Sequence, residues 1–206
     1  FTDMKGFTRV AEKMSPEMLV NELDACFVRF DDIIGHYGIE KIKTIGDSYM
    51  SACGVPSADP MHAVKAVMAA LEVREDMHRT HKESQVTGVE PWILRIGLHS
   101  GPVVAGVVGK RKFAYDIWGD AVNTASRMES SGEPGEVNIS GATYELVKNW
   151  FVCEHRGQIA AKNKGAIDMY FVRRIKPEFS ADPQGLVPNE RFRRAAGLPE
   201  PMEQSA

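Results

Sequence analysis

Two apolar stripes of helical period, separated by a hairpin signal and flanked by short strand-like runs, constrain this chain more than any other feature. Leu19, Leu23, Cys26, Phe27, Phe30, Ile34 and Tyr37 keep one face of a helix apolar. Ser15 and Pro16 mark its start, Ser as cap and Pro at the first helical position, and Gly38 marks its stop. Ile39 to Ile45 and Ser48 to Val55 then read as two strands joined at Gly46 and Asp47. Met61 to His81 forms a second long amphipathic helix, and Phe1 to Met4 and Trp92 to His99 are strands on either side. A short helix after a tight turn at Gly6 precedes the first long one. The order strand, helix, hairpin, helix, strand predicts an α+β domain, a ferredoxin-like split βαββαβ arrangement whose antiparallel-rich sheet carries helices on one face. The other face needs a cover, and a second copy of the chain is the economical one.

Later segments add to this frame. Trp92 to His99 and Val103 to Val108 are strands around a turn at Gly101 and Pro102, Lys110 to Lys112 turn into a further strand, Phe113 to Trp118, so that an added hairpin is expected, and Ala121 to Met128 is a helix with Asp120 as its cap. A short strand near Val137, a helix from Gly141 to Trp150 and strands near Phe151 to Glu154 and Ile167 to Val172 complete a domain expected to span residues 1–175. The remainder, 176–206, holds five of the eleven prolines, a composition that ordinarily means a disordered extension unless packing on the domain or a partner holds it.

Composition excludes several classes. With 206 residues, 43% of them apolar, the chain can bury a sizeable core, and a net charge of -3 leaves no electrostatic footprint for nucleic acid. Cys26, Cys53 and Cys153 are odd in number and widely spaced, which argues against disulfides and zinc and for buried thiols in a reducing compartment. His78 and His81 lack further ligands nearby. No apolar run approaches the roughly 18 residues of a membrane span. Because the chain opens at Phe1 in the middle of a strand, we expect a piece of a longer protein, a cytoplasmic domain with room upstream for a sensor or a membrane tether.

Chemistry concentrates in a few places. In YDIWGDAVNTASR, Asn123 and Arg127 lie four apart on one helix face, and Asp116 sits in the strand just before. An amide and a cation on one face beside a carboxylate suit a phosphate-bearing ligand whose base needs an acceptor. Asp3 leaves the first strand and Asp47 occupies the hairpin turn, so both carboxylates can meet at one end of the sheet. Hard oxygens at such a place are what magnesium or manganese needs when phosphates supply the remaining ligands. Taken singly, an Asp in a turn is equally well explained by local hydrogen bonding.

Four motifs taken together, FTDMKGFT, EKIKTIGDSYM, LRIGLHSGPVVAGVVG and YDIWGDAVNTASRMES, closely resemble, in order and spacing, the catalytic domain of class III nucleotidyl cyclases. The resemblance runs from Phe1 to about Val172. It implies two domains paired head to tail, with each active site in the groove between them. Asp3 and Asp47 of one copy would hold two Mg2+ or Mn2+ ions per active site, helped by the carbonyl of Met4, with amides around Gly6, Phe7 and Thr8 near the triphosphate. Arg95 and Lys162 would bind phosphates. From the other copy, Asn123 would orient the ribose and Arg127 would stabilise charge on the α-phosphate. Lys43 and Asp116 match the adenine-selecting pair, a donor for a ring nitrogen and an acceptor for the exocyclic amine. The sequence departs from the family at Asn163, where Gly is usual.

The resemblance therefore implies an adenylyl cyclase, making cyclic AMP and pyrophosphate from ATP in a homodimer with shared sites. A guanylyl cyclase is disfavoured by Lys43 and Asp116, because relatives that use GTP typically carry an acid and a small residue there. A non-catalytic nucleotide-binding module is disfavoured because both acids, Asn123 and Arg127 are all retained. An RNA-binding domain would need a basic surface and an aromatic platform strand.

Overall fold

The computed structural model describes residues 1–87, 92–109, 113–161 and 165–198. Its first half follows the periodicities: β1 (Thr2–Lys5), α1 (Phe7–Ala11), α2 (Pro16–His36), β2 (Glu40–Ile45), β3 (Ser48–Ala52), α3 (His62–Thr87) and β4 (Ile93–Leu98). Ser15 accepts a hydrogen bond from the Met18 amide at the start of α2, and Gly38, in the left-handed region at φ 65°, turns the chain after its end. The second half comprises β5 (Val104–Val108), β6 (Ala114–Trp118), α4 (Asp120–Ser130), β7 (Val137–Ser140), α5 (Gly141–Val147), β8 (Phe151–Ala161) and β9 (Gly165–Ile175). The turn expected at Lys110 to Lys112 lies outside the described residues.

Seven strands form one sheet in the order β2-β3-β1-β4-β7-β9-β8, antiparallel at every junction except β4 with β7. The first four carry the split βαββαβ connectivity, with the β2–β3 hairpin at one edge. Among the described residues strands β5 and β6 pair only with each other, as a separate two-stranded sheet. The turn at Gly101 and Pro102 thus carries the chain from one sheet to another and does not close a β4–β5 hairpin. Strands β8 and β9 are each eleven residues long, well beyond the alternating runs that announced them.

Alternation along the strands separates two faces. Met4, Leu94, Ile96, Val137 and Ile139 point to a core with Phe30, Ile33 and Ile34 of α2, Val67, Met68 and Leu71 of α3, and Val147 of α5. Helix α4 is the exception to the one-sided arrangement. It lies over the opposite face of β4, where a Cβ placed on Gly97 would come 1.9 Å from the Glu129 amide nitrogen. The thiols are free, but only Cys26 is buried as expected, Cys53 and Cys153 being half-buried; burial raises the pKa of Cys26 to about 12 and those of Cys53 and Cys153 to about 11.

Residues 176–198 of the proline-rich segment pack on the domain, the alternative to disorder that its composition left open. A 3-10 turn (Pro177–Phe179) leads to a loop in which Asp182 accepts from the amides of Leu186 and Val187, and Asn189 caps α6 (Glu190–Ala196). Phe192 of α6 is fully buried, its ring 5.1 Å from Trp150, 5.8 Å from Phe151 and 6.0 Å from Phe179. One aromatic anchor outweighs a composition that by itself favours disorder. Phe192→Ala should cost about 3–5 kcal/mol of unfolding free energy, measured by urea denaturation.

Candidate active site

Register creates the carboxylate end of the sheet. In the β1–β4 ladder Asp3 stands opposite Arg95 and Met4 opposite Leu94; the apolar pair faces the core and the charged pair faces away. Arg95 Nη2 donates to Asp3 Oδ2 at 2.5 Å, and Ser48 Oγ donates to Asp3 Oδ1 at 3.1 Å. The β2–β3 turn, with Gly46 at φ 61°, brings Asp47 to the same place, where it accepts from the Met4 amide at 3.2 Å. Two acids distant in sequence therefore share one end of the sheet. Burial raises the Asp47 pKa above the usual carboxylate range, and the neighbouring charge of Asp3 adds to the effect.

This donor set suits a hard divalent cation: two carboxylates at one end of the sheet, beside a backbone carbonyl. Among the described residues no group of three or more His, Cys, Asp or Glu gathers at one point, so a cation there would complete its shell with water or with oxygens of a bound molecule. Gly6, in the left-handed region at φ 73°, opens α1 beside the acids. Phe7 packs on Trp92 with ring centroids 5.9 Å apart, which fixes the first turn and the amides of Phe7 and Thr8.

The base-selecting pair expected from sequence is in direct contact across the two sheets. A register shift between Lys41 and Lys43 re-aims the outer part of β2. Lys43 Nζ lies 2.5 Å from Asp116 Oδ2 of β6. Asp116 also accepts from the Ile117 amide, and the Lys43 hydrogen bond, the largest influence, holds its carboxyl below the ordinary range. Both side chains keep some exposure, 41% and 20%.

Helix α4 begins at Asp120, not after it. Gly119, at φ 146° and ψ 168°, is the cap residue, and no side chain caps the helix. A Cβ on Gly119 would also meet the Pro102 carbonyl oxygen at 3.0 Å. The packed face of α4 presents Ala121, Thr124, Met128 and Glu129, while Asn123 is exposed and Arg127 half-buried on the outer side. Among the described residues the Asn123 amide and the Arg127 guanidinium make no side-chain hydrogen bond or ion pair. Lys162 lies outside the described residues.

Glu129 escaped the sequence reading, although its place on the packed face of α4, one residue beyond Met128, could have revealed it. Its Oε1 lies 2.9 Å from Arg95 Nε, so Arg95 bridges Glu129 and Asp3. Neither of these two atoms completes an aligned hydrogen bond, and the contact is one of charge. Burial raises the Glu129 pKa and the Arg95 charge opposes that rise.

Comparison with known proteins places these features in a family. Residues 1–174 match the model of the adenylate and guanylate cyclase catalytic domain. An adenylate cyclase of Mycobacterium tuberculosis is 43% identical over 183 residues, 89% of this chain and 40% of that protein. The chain thus spans two fifths of that relative's length. Among solved structures, the adenylyl cyclase CyaB of P. aeruginosa superposes with a TM-score of 0.79 at 33% identity, covering 83% of this chain and 90% of that one. The guanylate cyclase domain of RhGC from Catenaria anguillulae, solved with GTP, gives 0.77 at 35% identity, covering 83% and 92%. The chain belongs to the adenylate and guanylate cyclase catalytic domain family. Since α4 touches β4 at Gly97 with no space to spare, Gly97→Ala should lower stability by about 1–3 kcal/mol or more, read as a fall in Tm.

Proposed function

We propose, with that family membership as premise, that this chain is the catalytic domain of an adenylyl cyclase that works as a homodimer. The contact between Lys43 and Asp116, 73 residues apart, carries the choice of substrate. Adenine offers an acceptor ring nitrogen beside a donor amine, the complement of a lysine and an aspartate. Guanine reverses that pattern and would leave buried groups unpaired, at about 1–3 kcal/mol each. The ribose 3′-oxygen attacks the α-phosphorus in line and expels pyrophosphate, giving 3′,5′-cyclic AMP.

Each residue has a part in that step. Asp3 and Asp47, with the Met4 carbonyl, would hold Mg2+ or Mn2+, two per site. Such ions, when bound, lower the pKa of the 3′-hydroxyl and offset charge on the departing pyrophosphate. Arg95, Lys162 and the amides of Gly6, Phe7 and Thr8 bind the phosphates. Asn123 and Arg127 come from a second copy, Asn123 orienting the ribose and Arg127 taking up charge that grows on the α-phosphate. Two features support a second copy. Among the described residues the side chains of Asn123 and Arg127 have no hydrogen-bond or ion-pair partner on the outer face of α4, and the β5–β6 hairpin exposes Val104, Val107, Val108, Phe113 and Trp118. A head-to-tail pair of identical chains completes two sites. No helix among the described residues is long and apolar enough to cross a membrane; an upstream sensor or membrane segment would act by changing how the two copies meet.

The test is incubation of purified chain with ATP or GTP and Mn2+, the product identified by chromatography. Cyclic AMP is expected, and cyclic GMP as the main product would overturn the substrate assignment. Asp47→Ala and Asn123→Ala should each be inactive alone and recover activity when mixed, whereas silence from verified mixed dimers would refute the shared site. Exchanging Lys43 for Glu together with Asp116 for Cys should reduce the ATP-to-GTP preference in kcat/KM by about 10-fold or more.

A further inference from the structure

Arg95 sits between two carboxylates that address different parts of its guanidinium. Glu129 faces the Nε edge at 2.9 Å and Asp3 faces the terminal Nη2 at 2.5 Å. The Glu129 end is fixed, because its backbone is pressed onto Gly97 and its side chain is 11% exposed. The Asp3 end can change: the planar guanidinium can pivot as a whole about its Nε contact with Glu129, which swings the terminal nitrogens away from Asp3. A guanidinium this sheltered needs a counter-charge wherever it points.

We propose that Glu129 is a positioning residue that lets Arg95 exchange partners. On the reading of Asp3 as a cation ligand, which this inference rests on, divalent ions and Arg95 compete for one carboxylate. Glu129 neutralises Arg95 from behind, so that Asp3 can release it to the ions and the terminal nitrogens can turn to a phosphate. Without that charge, Arg95 is left to the acids of the site, with Asp3 in direct contact and Asp47 behind it, and stays on them. Removal of Glu129 therefore weakens cation binding through Arg95, and not merely by subtracting a negative charge from the neighbourhood.

The measurement is Mn2+ binding to the intact chain without nucleotide, followed by the loss of the free-ion electron paramagnetic resonance signal. Glu129→Gln keeps the volume and removes the charge, and its Tm is recorded beside that of the parent chain. We expect Glu129→Gln to weaken Mn2+ binding at least about 5-fold, and the same change made on an Arg95→Met background to alter it less than about 2-fold. Unchanged binding in the single variant, or an equal loss with and without Arg95, would overturn the partner exchange. Asp47→Asn serves as the control for the site itself. Were it to bind Mn2+ as the parent does, the acids would not be the cation site, and the role given to Glu129 would fall with that reading.

Discussion

The cross-strand pairing of Asp3 with Arg95, one step from Met4 with Leu94, is the constraint on which the site depends. A strand has two faces, and this register gives one of them to the core and the other to charge. A slip of one residue would bury both charged groups against α2 and α3 and turn Met4 and Leu94 to water. The apolar core therefore holds the charged end in place. The acids need no dedicated scaffold beyond the packing that folds the chain.

Close contact at Gly97 adds a second constraint of the same kind. It lets α4 lie on the β4 backbone with Glu129 beneath it and Asn123 and Arg127 facing out. One helix thus serves two purposes at once. Its inner face steadies the arginine beside the acids of its own chain, and its outer face supplies the amide and guanidinium that, in the proposed pair, belong to the opposite groove.

Much of this was legible in the residues. The stripe from Leu19 to Tyr37, the Ser15 cap and the Gly46–Asp47 turn are local signals, and local physics settled them. The meeting of Asp3 with Asp47 could be read from the strand and the turn that carry them, whereas Lys43 with Asp116 was legible only through the motif resemblance, since nothing local announces a contact between strands of different sheets. What sequence could not supply was long-range. Strands β8 and β9 run far past their alternating cores because each supplies the other's ladder. Asp120 entered the helix because Gly119 took the cap position. Glu129 resembled one more polar helix residue until the opposing strand showed that it was covered. The C-terminal prolines suggested disorder because composition counts residue types and does not register a single well-placed phenylalanine.

That phenylalanine bears on where the folding unit is taken to end. The family match stops at Arg174, one residue short of the fully buried Ile175, yet α6 and its loop lie against Trp150 and Phe151. A recombinant fragment cut at the match boundary would leave those rings facing solvent and invite clumping during purification. A gene designed to run through Leu198 keeps the lid on.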